Sequence, residues 1–373
     1  MANGELRVGV IGAGRWANMA HLPGWKRDER CRLEAVCDVT GELAEEAGRK
    51  YDVATVTDDY RRVLERDDID VVDVVTGDGS HFEITMAALE AGKHVLVEKP
   101  VAHDFRDTLR ARDLAASKGL KTKVGFTFRY SPAVRYMKEL IAEGWVGTPY
   151  IYNAYEQNSQ WIDPQTPLRQ VPSDVDADRI RVSSLEGYGA PVIDLGHWFM
   201  DDDLTSVVGV LRNFVPERMI RETGTMMRAN IDDGDIFIGE FSRGALCSVQ
   251  SSFVTVGNYP GIEVRVYGSE GALIARLVEE FGVMETLKGA KPDAVEFVDV
   301  EVPQRLFPPG GTVNEPWPSL YYSNLTANFV DEILDGGEKN EGNFADAAWV
   351  QEVINAVEIS HHDRGWTALP LPR

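Results

Sequence analysis

Cysteine is scarce in this chain: Cys31, Cys37 and Cys247 are the only three among 373 residues. Three thiols build no disulfide framework, and neither a C-x-x-C pair nor a Cys/His zinc spacing occurs, so a reducing compartment and no metal site are expected. Long apolar runs are also missing. No stretch reaches the roughly 18 apolar residues of a membrane helix, and no basic segment at the N-terminus leads into an apolar one. The expectation is a soluble, cytoplasmic protein with no membrane partner. Positive charge is in deficit, 38 Lys and Arg against 60 Asp and Glu, a net charge of −22. Such a surface repels phosphate backbones and argues against general nucleic-acid binding. What is present is a 43% hydrophobic fraction. That is enough core for two or three domains and too much for intrinsic disorder.

The first hundred residues alternate between strand and helix patterns. Leu6–Ile11 reads as a short buried strand running into Gly12-Ala13-Gly14-Arg15-Trp16-Ala17, a G-x-G-x-x-A sequence. A helical stretch is expected within Trp16–Trp25, then a second strand over Leu33–Cys37 that ends in Asp38. This is the order of a dinucleotide-binding βαβ unit. Gly12 permits the tight turn, Gly14 lets the backbone approach a pyrophosphate, and Ala17 keeps the helix close to the strand. Arg15 and Trp16 lie in the same loop and count among the cofactor contacts. Asp38, 24 residues after Gly14, is placed to accept hydrogen bonds from the adenosine ribose and to repel a 2′-phosphate, which selects NAD over NADP.

The alternation continues with a helix over Tyr60–Arg66, a strand over Val71–Thr76, a helix over Glu83–Ala91 closed by Gly92, and a strand over His94–Val97. Parallel strands with helices on both faces follow from this order. Ligands in such folds sit beyond the carboxyl ends of the strands, which singles out Thr76–His81 and Glu98-Lys99-Pro100.

Three segments together carry a resemblance: the N-terminal fingerprint, V-V-T-G-D-G-S-H and A-G-K-H-V-L-V-E-K-P. The chain resembles the Gfo/Idh/MocA family, the glucose–fructose oxidoreductase and inositol dehydrogenase group of NAD(P)-dependent sugar and polyol oxidoreductases. Later segments, G-F-T-F-R-Y-S-P-A-V-R, G-W-V-G-T-P-Y and V-Y-G-S-E-G-A-L, extend the similarity over essentially the whole chain. The resemblance implies an α/β protein. An N-terminal doubly wound Rossmann domain (1–125) is followed by an α/β domain (126–373) with a large open, mostly antiparallel sheet. That second domain covers the nicotinamide and makes a homodimer or homotetramer through its sheet. Strands are expected at Gly147–Glu156, Val207–Phe214, Asp235–Phe241, Ala245–Thr255 and Ile262–Gly268, and helices at Ser319–Asp335 and Phe344–His361.

The resemblance places the lysine of E-K-P, here Lys99, beside the reacting hydroxyl. The residue before a proline is pushed toward an extended backbone, so its side chain projects from the strand end. A closed, partly desolvated site disfavours a charged ammonium and makes lysine a useful proton acceptor, while the ammonium form polarises an alkoxide or carbonyl oxygen. Glu98 is read as a structural or nicotinamide-side partner, and the bond preceding Pro100 as a candidate cis peptide.

The family's second signature, D-x-x-x-H-x-x-D on a helix, is irregular here. In E-G-Y-G-A-P-V-I-D-L-G-H-W-F-M-D-D-D, one alignment makes Asp194 and His197 the Asp/His pair at a spacing of three. A gap-free alignment makes Asp194 the trailing Asp and leaves Pro191 at the His position. Asp194 is a catalytic and substrate-binding candidate in both, and His197 in the first.

Weaker candidates are Thr76 and His81 for the cofactor and Arg129 for the substrate, with Tyr155, Glu156, Gln157 and Trp161 on a strand end expected to face the cleft. The Asp201–Asp203 run reads as a solvated helix end and the His361-His362 pair as surface. The activity implied is transfer of a hydride between a secondary alcohol of a sugar, polyol or sugar acid and nicotinamide C4. Two alternatives stay open: a dinucleotide-binding regulator without turnover, and an enzyme whose bound NAD is recycled in an elimination, isomerisation or glycoside cleavage.

Overall fold

The computed structural model describes residues 5–168, 179–221, 223–256, 261–278, 285–335 and 341–373. The chain folds as two compact units, Met1–Pro132 with Gln304–Gln351, and Ala133–Pro303 with Glu352–Arg373. The N-terminal part of the first unit runs to Pro132, and the C-terminal half of the chain returns a segment to it.

In the first unit the strands are β1 (Leu6–Ile11), β2 (Cys31–Cys37), β3 (Thr55–Thr57), β4 (Val71–Val74), β5 (His94–Val97) and β6 (Thr122–Val124). They are joined through helices α1 (Leu22–Arg27), α2 (Gly41–Tyr51), α3 (Tyr60–Leu64), α4 (His81–Glu90) and α5 (Phe105–Ser117). The sheet is parallel throughout, in the order β3-β2-β1-β4-β5-β6. Its central strands are buried on both faces because helices cover both, which is why β4 and β5 read as near-continuous β-branched and leucine runs. Strand order reverses between β1 and β4, the crevice where doubly wound folds bind ligands. The helical stretch expected after the glycine loop has two parts: a wide turn over Ala17–His21, then α1.

In the second unit α6 (Pro132–Ala142) leads to β7 (Pro149–Gln157), and α7 (Ala190–Met200) leads to β8 (Leu204–Arg212). A separate antiparallel pair, β9 (Glu217–Ile220) and β10 (Thr225–Arg228), follows. Then come β11 (Gly234–Phe241), β12 (Leu246–Ser252), β13 (Gly261–Gly268), β14 (Ala272–Val278), β15 (Glu285–Ala290), β16 (Val298–Asp299) and β17 (Thr367–Ala368). The nine-stranded sheet runs β16-β15-β14-β13-β7-β12-β11-β8-β17. It is antiparallel except where β7 meets β12. Period-two alternation gives it two distinct faces. Tyr152 and Ala154 of β7, Phe237 of β11 and Val249 of β12 are buried on the face carrying α7, whereas Ile236, Ile238, Leu246 and Val210 are exposed on the other.

Two long helices close the chain. α8 (Trp317–Leu334) belongs to the first unit, where Phe329 packs against Trp25 of α1 with ring centroids 6.5 Å apart. α9 (Phe344–Asp363) begins in the first unit and ends in the second. His361, expected at the surface, is buried: its Nδ1 accepts the Leu211 N–H at 3.2 Å, and burial, reinforced by the positive Arg364, pushes its pKa down to about 4.

Candidate active site

The glycine loop turns as the sequence requires. Gly12 has φ +105°, a backbone that L residues rarely adopt, and a Cβ there would collide with the Val75 carbonyl at the end of β4. Gly14 is different: a Cβ placed on it would meet nothing within 4 Å. That open space beside the start of a helical segment fits a pyrophosphate group. Asp38 stands at the end of β2 and ties that strand to the loop: Oδ2 accepts the Ala13 N–H at 2.8 Å, and Oδ1 the Thr40 N–H at 2.8 Å. Each oxygen keeps a further lone pair for ribose hydroxyls. The donors and openings of this loop fit NAD.

The remaining cofactor candidates divide. Arg15 is exposed, with Nε 3.3 Å from the Met19 sulfur. Trp16 turns its indole N–H inward to Glu98 at 3.0 Å and packs its ring 5.7 Å from Trp317 and 5.9 Å from Tyr322. Thr76 is partly exposed after β4, its hydroxyl accepting from Ser80 at 2.8 Å. His81 is buried, and its ring nitrogens face main-chain carbonyls, Pro100 at 2.7 Å and Thr76 at 3.1 Å. It braces the two loops against each other rather than offering a ring nitrogen to a ligand.

Lys99 follows β5, and the Lys99-Pro100 peptide is cis. Glu98 beside it is buried and densely bonded. Its Oε1 accepts from Trp16 Nε1 at 3.0 Å, His21 Nε2 at 3.1 Å and the Tyr322 hydroxyl, and Oε2 accepts the Lys99 N–H at 3.2 Å. Burial alone would raise the Glu98 pKa, but His21, by hydrogen bond and charge, with Lys99 and Tyr322 takes it down to about 2. His21 is fully buried, with Nδ1 2.9 Å from Asp73, which also accepts from Trp25 Nε1 at 2.7 Å. Burial would lower its pKa; Asp73 and Glu98 outweigh that and lift it to about 9. As an imidazolium, His21 donates to both carboxylates. Its sequence signal was Asp73, a carboxylate inside the otherwise apolar run Val71–Val75, since a buried charge implies a partner.

In the second unit, Asp194 is 1% exposed on α7. Pro191 lies in the first turn of that helix, directly after the wide helical turn Leu185–Gly189. His197 Nε2 lies 3.3 Å from Asp203, beyond the helix end. The chain turns back there at Asp201, φ +46°, and Asp202 accepts the Arg243 N–H at 2.9 Å, so the acidic run is a capping element. Tyr155 lies on β7 of the same unit. It alternates with Tyr152 and Ala154 and so stands on the sheet face opposite α7, across from Glu263. Burial and the Glu263 carboxylate raise its phenol pKa. Arg129, in the first unit, is 2% exposed and 3.4 Å from Asp346.

A carboxyl pair that the sequence reading passed over lies beneath α7. Asp232 accepts backbone N–H groups of Ser183, Ser184 (3.1 Å) and Leu185 (3.0 Å), anchoring the wide turn Leu185–Gly189 that runs into the helix. Asp235 accepts from Ser251, which meets Ser184 at 3.1 Å. Burial raises both acids, and Asp235 raises Asp232 further, while hydrogen bonds with Ser251, Asp232 and Ser184 hold Asp235 to about 7, so the pair retains a proton.

Two comparisons define the class of protein. Residues 6–126 match the GFO_IDH_MocA oxidoreductase family, NAD-binding Rossmann fold, and residues 134–274 match the GFO/IDH/MocA C-terminal domain. The chain belongs to the Gfo/Idh/MocA family and is an NAD-dependent dehydrogenase. It is 28% identical over 296 residues to levoglucosan dehydrogenase of Pseudarthrobacter phenanthrenivorans, covering 72% of this chain and 73% of that protein. It is also 28% identical to an inositol 2-dehydrogenase/D-chiro-inositol 3-dehydrogenase of Lactiplantibacillus plantarum, over 72% of this chain and 70% of that one. A solved structure of levoglucosan dehydrogenase in complex with NADH superposes with a TM-score of 0.82 at 25% identity, covering 99% of this chain and 100% of that one.

Proposed function

We propose that the enzyme oxidises a secondary alcohol of a cyclic sugar, polyol or sugar acid, with Lys99 exchanging the hydroxyl proton and Asp194 binding substrate hydroxyls. The observation that carries this reading is Glu98-Lys99-Pro100 at the carboxyl end of β5 in an NAD-binding unit. NAD, when bound, supplies the hydride acceptor. Glu98, engaged by four donors, is a poor candidate to take a proton, which leaves Lys99 for that task. Lys99 accepts the hydroxyl proton as the alkoxide develops, and as an ammonium it stabilises the carbonyl oxygen. Asp194, a buried carboxylate, is suited to hold and orient hydroxyl groups. The relatives act on levoglucosan and inositols by name, which favours a ring polyol over an open chain.

The proposal extends to a homo-oligomer formed through the open sheet face, where Ile236, Ile238, Leu246 and Val210 are exposed together. A cytoplasmic setting is proposed from the three free cysteines; no described helix is long and apolar enough to cross a membrane. Steady-state NADH formation from NAD with levoglucosan, myo-inositol and related cyclic polyols tests the reading. Product formation without net NADH release would overturn it in favour of an internal redox cycle. Binding of NAD with turnover of no alcohol would overturn it in favour of a regulator.

A further inference from the structure

We propose that His21, Asp73 and Tyr322 are positioning residues for dehydrogenation, acting through Glu98 to fix the strand end from which Lys99 reaches the reacting oxygen. The inference rests on the reading that Lys99 handles the hydroxyl proton.

Its basis is the geometry around Glu98. Glu98 and Lys99 are consecutive, and the Glu98 carboxylate accepts the N–H of Lys99 itself at 3.2 Å. The carboxylate therefore holds the backbone from which the Lys99 side chain springs. It is in turn held by three residues from two elements: Trp16 and His21 from the segment after the glycine loop, and Tyr322 from α8. On its remaining side is Gly125, where a Cβ would collide with the Glu98 carboxylate, so the chain after β6 passes directly against it. His21 is fixed by Asp73 of β4, which is held by Trp25 of α1. The His21 and Tyr322 rings lie 4.1 Å apart, so the two donors also support one another.

The buried partners alternate in kind: the Asp73 acid, the His21 imidazolium and the Glu98 carboxylate. A buried ion chain of this kind is a weak source of net stability, because desolvation offsets much of the attraction. Packed hydrophobic side chains would cover the same volume at no such cost. What the chain supplies is orientation: a carboxylate with three converging donors on one oxygen has little freedom to rotate, and the other oxygen then fixes the Lys99 N–H. A displacement of about 1 Å at a catalytic group costs up to about a hundredfold in rate.

The test uses His21→Gln, Asp73→Asn and Tyr322→Phe, each made in the wild-type enzyme and in Lys99→Ala. kcat and KM for the alcohol, NADH affinity and melting temperature are measured. In the wild-type background kcat is expected to fall about ten- to a hundredfold, with KM and NADH affinity changed less than about threefold. In the Lys99→Ala background the same substitutions are expected to cost less than about threefold further, because the group they position is gone.

Unchanged kcat in the folded variants overturns the proposal. So does an equal loss in both backgrounds, which a merely structural role would give. Should His21→Gln or Asp73→Asn fail to fold, Tyr322→Phe decides, since it removes one hydroxyl and keeps the ring. A Lys99→Ala enzyme that retains turnover would sink the functional reading itself, and is distinguished because it needs none of the other variants.

Discussion

His21 Nε2 lies 3.1 Å from Glu98 Oε1 with both side chains buried, so an imidazolium and a carboxylate meet one residue from Lys99. This pair gives the protein a stability dependence on pH. His21 is raised by folding from 6.5 to about 9. The folded state then binds more protons than the unfolded chain between those values. The contribution is fully present below about pH 6.5 and is lost as pH rises through about 9, at most about 3 kcal/mol. Denaturant unfolding of wild type should show this decline, and His21→Gln should flatten it. Parallel curves for the two proteins would contradict the assignment.

The acid pair beneath α7 acts in a lower window. Asp235 is raised from 3.8 to about 7. Again the folded state holds the extra proton, so this term favours folding most below about pH 4 and is lost by about pH 7. Asp235→Asn keeps the shape without the titration. Its unfolding free energy should therefore vary less with pH across that window than wild type's. An unchanged slope would show that the pair does not hold a proton.

Cofactor choice should follow Asp38. Its carboxylate is fixed at the ribose end of the loop by Ala13 and Thr40 N–H groups, and the next residue, Val39, brings no positive charge to a 2′-phosphate. NAD(H) should bind at least about tenfold more tightly than NADP(H), or about 1.4 kcal/mol. Calorimetric titration of both checks this, and equal or tighter NADP(H) binding would remove Asp38 from the assignment.

Asp194 and His197 should separate. Asp194→Asn should lower kcat by about a hundredfold while leaving NADH affinity intact. His197→Ala should spare kcat and lower the melting temperature slightly, since it removes a partly exposed contact with Asp203 worth under about 1 kcal/mol. A large kcat loss in His197→Ala, with Asp194→Asn near wild type, would reverse the two roles.

Local chemistry made the first unit legible. Gly12 needs its positive φ, β4 and β5 are short β-branched and leucine runs, and Asp38 marks a strand end, so each could be placed from neighbours in sequence. The contribution of the second unit depends on which face a residue takes and on partners far along the chain. Tyr155 was assigned to the cleft because it ends a strand, but its face is set by one residue of register. The His361-His362 pair near the C-terminus reads as surface, yet Leu211, 150 residues away, supplies the hydrogen bond of a buried His361. The His21–Asp73–Glu98 network joins residues 52 and 77 positions apart. The buried aspartate in β4 was its one visible trace.

Lys99 is the residue assigned to exchange the proton of the reacting alcohol. The most direct test is the kcat of Lys99→Ala with a polyol that wild type oxidises, measured beside NADH affinity. NADH binding should stay close to wild type and turnover should fall by about 10²–10⁴. Turnover within a few-fold of wild type would show that another group carries the proton.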